Sequence, residues 1–226
     1  MSNLSLEEQN KKIRERMENL SEIRFEPFPQ DSPWLRPIRM TFIQDGKKKQ
    51  WDLMRAHESV SIVVFNTDRK KLVFVRQFRP AAYYACLPEK LKEVDLKKYP
   101  VTLGLTIELC AGIVDKDKPL VEIAQDELRE ECGYEAPLEN FQKVITYRFI
   151  SSSATKQTLF YVEVTDAMNI HSGGGAENEG ELIEIIEMSI EEVKKYVASE
   201  EVQSPPCFLN GVSWFLANKK DRYDTL

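Results

Sequence analysis

Residues 112–134 read GIVDKDKPLVEIAQDELREECGY. Within this stretch Glu127, Glu130 and Glu131 stand at i, i+3 and i+4, and Gly133-Tyr134 follows. On a helix that spacing sets three carboxylates on one face within a single turn. Like charges so close repel, so a cluster of this kind points to a divalent cation. Carboxylate oxygens are hard ligands suited to Mg²⁺ or Mn²⁺, and those ions suit phosphate substrates.

The helix should begin near Pro119, a residue favoured at the first helical position. Val121, Ala124, Leu128 and Cys132 recur as an apolar stripe fit to pack on a sheet. The three glutamates lie roughly 100° around from that stripe and face a cleft. Leu120 and Ile123 fall on the acidic side, which the helical wheel does not explain. Gly133 is expected to cap the helix in the left-handed region. Gly112 permits a tight turn after the strand that precedes it. Taken alone, the glutamates also fit a solvated acidic helix face.

Composition narrows the classes. The chain has 226 residues, 42% hydrophobic and 30% charged, with a formal net charge of −6. That fits one sizeable globular domain with at most a small appendage. No basic block offsets the acidity, so nucleic acid is not an expected partner. Cys86, Cys110, Cys132 and Cys207 form no CxxC pair, and His57 and His171 are the two histidines. Zinc and a disulfide framework are therefore not expected. The first twenty residues are too polar for a secretory leader, and no apolar run reaches membrane-spanning length. A cytoplasmic protein without membrane contact is the expectation.

Along the chain, residues 4–20 read as a polar helix. IRMTFIQ and KQWDLMR around Asp45-Gly46 read as a hairpin. SVSIVVFN (59–66) and KLVFVRQF (71–78) read as a second hairpin. Residues 83–100 are a charged insertion. VTLGLTIELC (101–110) reads as a strand leading into the motif, and KVITYRF, QTLFYVEVT and ELIEIIEM as further strands. Ser189 with Glu192 makes a capping box, and GVSWFLAN an apolar closing helix.

The 112–134 stretch resembles the Nudix box, GX5EX7REUXEEXGU, where U is bulky and apolar. Gly112, Glu127, Leu128, Glu130, Glu131, Gly133 and Tyr134 match. Lys118 stands where the family has Glu, and Asp126 where it has Arg. Those two residues brace the loop–helix–loop by a salt bridge, and a reversed pair can do the same. WDLMRAHESVSIVVFN, VRQFRPA, ELCAGIVD, EGELIE and GVSWFLA are similar to the ADP-ribose and nucleotide-sugar pyrophosphatase branch, and most to its UDP-sugar members.

The resemblance implies an α/β Nudix α/β/α sandwich with a mixed sheet over residues 58–226. It implies a helix and β-hairpin subdomain over 1–57 that makes a homodimer. It implies Mg²⁺-dependent hydrolysis of a nucleoside diphosphate sugar, with UDP-glucose giving UMP and glucose 1-phosphate. The alternatives are an ADP-ribose pyrophosphatase and a silent nucleotide-sugar-binding module. Glu127, Glu130 and Glu131, with the Ala111 carbonyl, would hold the metal. Glu179, on the loop that also carries Glu177 and Glu181, would serve as base. Arg79 and Glu108 would meet the substrate. Trp51 or Phe42 would stack on the base, with Arg55 assisting, although an aromatic residue there also suits a dimer core.

Overall fold

The computed structural model describes residues 5–29, 32, 35–150, 153–176 and 180–224. Its centre is β3 (Ser59–Asn66) and β4 (Lys71–Phe78). Both are apolar runs without polar alternation, the pattern of strands covered on both faces. Asn66 turns the chain between them. Its Oδ1 accepts the N–H groups of Asp68 and Arg69 at 3.0 and 2.9 Å.

β3 and β4 pair only over Val64–Asn66 and Lys71–Val73, then part. The segment before the acidic helix fills the gap. β5 (Leu105–Glu108) pairs antiparallel with Val75–Phe78 of β4, and β6 (Cys110–Ile113) pairs antiparallel with Ser59–Ile62 of β3. The chain crosses from one to the other at Leu109, which is buried. β7 (Gln142–Ile150) is antiparallel to β8 (Ala154–Val164), β8 runs parallel to β3, and β9 (Glu184–Ser189) lies on the other edge of β4. The sheet is mixed, as expected.

Helices cover both faces. α3 (Leu120–Cys132) sets Ile123, Ala124, Leu128 and Cys132 against Val60, Ile62, Val73 and Val75. α5 (Pro206–Asn218) sets Phe208, Val212 and Phe215 against Val63, Phe65, Leu72 and Phe74. α4 (Ile190–Val197) follows the Ser189–Glu192 capping box, which forms. α2 (Pro80–Ala85) opens the charged insertion. Among the described residues no helix is long and apolar enough to cross a membrane.

Three expectations change. Residues 101–110 are not one strand: Val101–Gly104 form a 3-10 turn before β5. A Cβ on Gly104 would meet Phe78 Cε2 at 2.5 Å, so the turn sits hard against the end of β4. ELIEIIEM is strand only from Glu184, because Ile183 N–H donates to the Gly174 carbonyl at 3.0 Å. On α3, Ile123 is core and Val121 only half-buried. The buried face is therefore turned toward the glutamates, and Glu131 lies inside it.

The N-terminal segment divides between two places. α1 (Leu6–Glu18), capped by Ser5 and Glu8, buries Ile13 and Met17 and docks beside β9. β1 (Arg36–Gln44) and β2 (Lys47–Arg55) form a separate two-stranded sheet. Asp45 and Gly46 both have positive φ, 52° and 68°, the type I′ geometry that two-residue hairpins prefer.

Leu128 is fully buried between α3 and the sheet. Leu128→Ala should therefore cost about 2–5 kcal/mol, measured by urea denaturation. A loss below roughly 1 kcal/mol would show that α3 does not rest on this face.

Candidate active site

The parting of β3 and β4 leaves a cleft of about 780 Å³ at the open end of the sheet. α3 contributes Glu127, Glu130 and Glu131 to its wall, and β6 contributes Ala111 and Gly112. The ends of β4 and β5 bring Gln77, Arg79, Thr106 and Glu108, and the loop before β9 brings Glu181. Residues separated by about a hundred positions in sequence meet here because β5 and β6 bridge the two parted strands.

Glu131 is 3% exposed, and its Oε2 accepts the Ala111 N–H at 2.9 Å. Ala111 lies opposite Ser61 of β3. Its N–H serves Glu131, so this is a non-hydrogen-bonded pair, and its carbonyl points to the same edge as its N–H. That is the direction a metal-facing carbonyl requires. A Cβ on Gly112 would run into the Glu127 carboxylate, so only glycine lets Glu127 lie flat on β6.

Burial pushes the Glu131 carboxyl up to about 8, the Ala111 N–H pulling against it and the Glu127 charge adding to it. Burial likewise pushes Glu127 up to about 7, with further push from Glu130 and Glu181. Glu130 is more exposed and stands 3.6 Å from the Arg129 guanidinium. Among the described residues no three His, Cys, Asp or Glu side chains already form a cage for an ion. In chemical kind the donors fit a hard divalent cation: carboxylate oxygens, one backbone carbonyl and excess negative charge in a partly dry wall.

The reversed pair forms. Lys118 Nζ lies 2.7 Å from Asp126 Oδ2, and Arg129 Nη2 donates to Asp126 Oδ1 at 3.1 Å. The Lys118 hydrogen bond holds the Asp126 carboxyl below its usual range. The loop entering α3 is thus braced with the charges exchanged.

Arg79 stands where β4 gives way to α2, as the sequence places it. Its Nε and Nη2 donate to the two Glu108 oxygens at 2.8 and 2.7 Å. Thr106 Oγ1 donates to Glu108 Oε1 at 2.6 Å. The two expected substrate contacts are therefore partners of each other. Glu181 lines the cleft while its Oε2 accepts the Ala176 N–H at 3.0 Å. Glu179 and Glu177 lie outside the described residues. Trp51, Arg55 and Phe42 do not line the cleft within one chain; they sit on the β1–β2 hairpin, with Trp51 61% exposed.

Sequence reading passed over the polar groups on the α5 side. Gln157 Nε2 donates to Ser59 Oγ at 3.0 Å, and Tyr147 OH donates to Gln157 Oε1 at 2.6 Å. Ser59, Gln157 and Phe149 line the cleft. Their signal is clearest at Ser59, a polar residue opening the apolar run of β3, whereas Gln157 lies within the polar stretch 155–158 of β8.

No family model matches the chain. It is 38% identical over 199 residues to the uridine diphosphate glucose pyrophosphatase of Mus musculus, covering 82% of this chain and 90% of that protein. The Bos taurus protein of the same name is 36% identical over the same shares. A GDP-mannose pyrophosphatase of Cronobacter sakazakii is 31% identical over 61% of this chain and 62% of its own length. A solved structure of an ADP compounds hydrolase shares the fold, with TM-score 0.60, 13% identity and coverage of 88% of this chain and 93% of that one.

The raised carboxyls set a pH dependence. Glu127 and Glu131 titrate near 7 and 8 in the fold, against an ordinary value of 4.5. The folded form then holds protons the unfolded form has released, so the contribution of these two groups to stability is full below about 4.5 and is lost as pH rises through about 7 and 8. Melting temperature in EDTA should fall across that window. Millimolar Mg²⁺, or Glu131→Gln without metal, should flatten the fall. A flat wild-type profile in EDTA contradicts the buried acidic wall.

Proposed function

The chain belongs to the Nudix hydrolases, and from that premise we propose that it cleaves the pyrophosphate bond of nucleoside diphosphate sugars with Mg²⁺, UDP-glucose first among them. The observation that carries the reading is the meeting of Glu127, Glu130, Glu131 and Arg79 in one cleft. A diphosphate needs both an anion-binding guanidinium and a cation to offset its charge. The choice of UDP-glucose is supported by relatives matched over most of the chain.

Glu127, Glu130 and Glu131, with the Ala111 carbonyl, would hold the ion. When bound, Mg²⁺ supplies charge neutralisation on the phosphates and acidifies water. Arg79 binds the diphosphate by its remaining guanidinium donors while Glu108 fixes its orientation. Gly112 leaves the space beside β6 that the Glu127 carboxylate occupies. The base belongs to the 177–181 loop, and Glu179 remains the assignment made from the resemblance.

The protein works as a homodimer in this reading, with the hairpin of the 1–57 segment supplying the contact. Directly opposed residues share a face of a hairpin. One face of β1–β2 then carries Ile38 with Leu53 and Met40 with Trp51, plus Phe42. Ile38, Met40 and Trp51 are 53%, 49% and 61% exposed. An apolar face of that kind suits a second copy.

With UDP-glucose, GDP-mannose and ADP-ribose offered in Mg²⁺, UDP-glucose should release UMP and glucose 1-phosphate fastest. Preference for ADP-ribose would move the assignment within the family. Glu131→Gln should cut turnover by at least ~10² while the fold survives; full activity in that variant removes Glu131 from the metal site. Light scattering should give the mass of a dimer at micromolar concentration, and a monomer would refute the role of the hairpin.

A further inference from the structure

The loop of residues 172–176 joins two parts of the molecule that are distant in sequence. Gly174 N–H donates to the Glu131 carbonyl at 2.9 Å, and Gly175 N–H to the Glu130 carbonyl at 3.0 Å. These are carbonyls of the last turn of α3, which the helix itself leaves without partners. At the far end, Ala176 and Glu181 clasp each other. Ala176 N–H donates to Glu181 Oε2 at 3.0 Å, and Glu181 N–H to the Ala176 carbonyl at 3.3 Å. The loop therefore positions both the acidic turn and a carboxylate that faces it across the cleft.

Gly173, Gly174 and Gly175 all have positive φ. Three successive glycines have no side chains to pack and lose more backbone freedom on ordering than other residues. Their order must come from outside, and α1 adds to what the α3 carbonyls and Ile183 supply. Gln9 Nε2 donates to the Ser172 carbonyl at 2.6 Å. A Cβ on Gly174 would meet Ile13 Cδ1 at 3.3 Å and Gln9 Nε2 at 3.6 Å, so the helix lies directly on the loop.

α1 is itself firmly fixed. Asn10 Nδ2 donates to the Ile185 carbonyl at 2.7 Å, and Asn10 Oδ1 accepts the Ile185 N–H at 3.1 Å. One side chain thus pairs both backbone groups of Ile185 on the free edge of β9. Arg14 donates to Glu184, a buried carboxylate that also accepts Arg76 Nε and Nη2 at 2.7 and 2.6 Å. A buried carboxylate between two guanidiniums resists separation, because losing either partner leaves charge in a dry site.

We propose that α1 is a strut for catalysis: Gln9, Asn10 and Arg14 are positioning residues that set the 172–176 loop, the last turn of α3 and the Glu181 carboxylate. The proposal rests on the hydrolase reading above. A helix that only adds stability predicts a lower melting temperature with unchanged turnover. A strut predicts a loss in kcat with KM moving less, since Arg79, which meets the diphosphate, is oriented by Glu108 and not by the loop.

The test uses the full chain with Mg²⁺ and the nucleotide sugar it turns over best, well below the melting temperature. Gln9→Ala removes one exposed hydrogen bond and should fold. It should lower kcat roughly fivefold, the scale of one hydrogen bond's net contribution, leave KM within twofold, and speed hydrogen exchange at Gly174 and Gly175. Gln9→Ala with Asn10→Ala should lower kcat at least about tenfold. Unchanged kcat in both, or a rise in KM alone, overturns the strut. Unchanged exchange at the two glycine amides overturns it as well. Wild-type protein that cleaves none of the diphosphates overturns the hydrolase reading and the strut with it, whereas active wild type with indifferent variants overturns the strut alone.

Discussion

The early parting of β3 from β4 is the constraint on which the rest of the structure depends. Two strands that separate after three paired residues leave unpaired backbone groups on facing edges, and buried groups of that kind must find partners. β5 takes the edge of β4 and β6 takes the edge of β3. The crossing at Leu109 then delivers Glu108 to one side of the gap and Ala111-Gly112 to the other. The cleft is the space this solution leaves open.

The electrostatics follow from that geometry. Glu131 is drawn into the wall by the one Ala111 N–H that β3 does not use. Its carboxylate is consequently dry, and so is much of Glu127 beside Gly112. The cost is carried by a fold braced around it, with Lys118, Asp126 and Arg129 holding the entry loop. Arg79 is kept charged and oriented by Glu108, so positive and negative groups face one cavity without collapsing together.

The N-terminal residues serve two different surfaces. The helix docks on the free edge of β9 at Ile185 and rests on the glycine loop, while the hairpin keeps an apolar face outward. The first covers part of an edge that a single sheet leaves exposed, and the second leaves an apolar face uncovered.

The sequence by itself determined the local pieces: the acidic turn of α3, its Gly133 cap at φ 78°, the capping box at Ser189, and the Asp45-Gly46 turn. Each depends on residues within a few positions of one another, so spacing alone specifies it. Lys118 and Asp126 belong here too, since eight residues across a loop end and about two helical turns suffice to define the pair. Only the tertiary structure decided which helix face is core, because burial of Ile123 depends on how α3 leans on β3 and β4. It decided that Arg79 and Glu108 bind each other, and that Ser59, Gln157 and Phe149 join the cleft. It also decided that α1 reaches the glycine loop, 163 residues away at Gln9 and Ser172. Contacts of that range are set by how strands part and layers stack, and no periodicity in the chain records them.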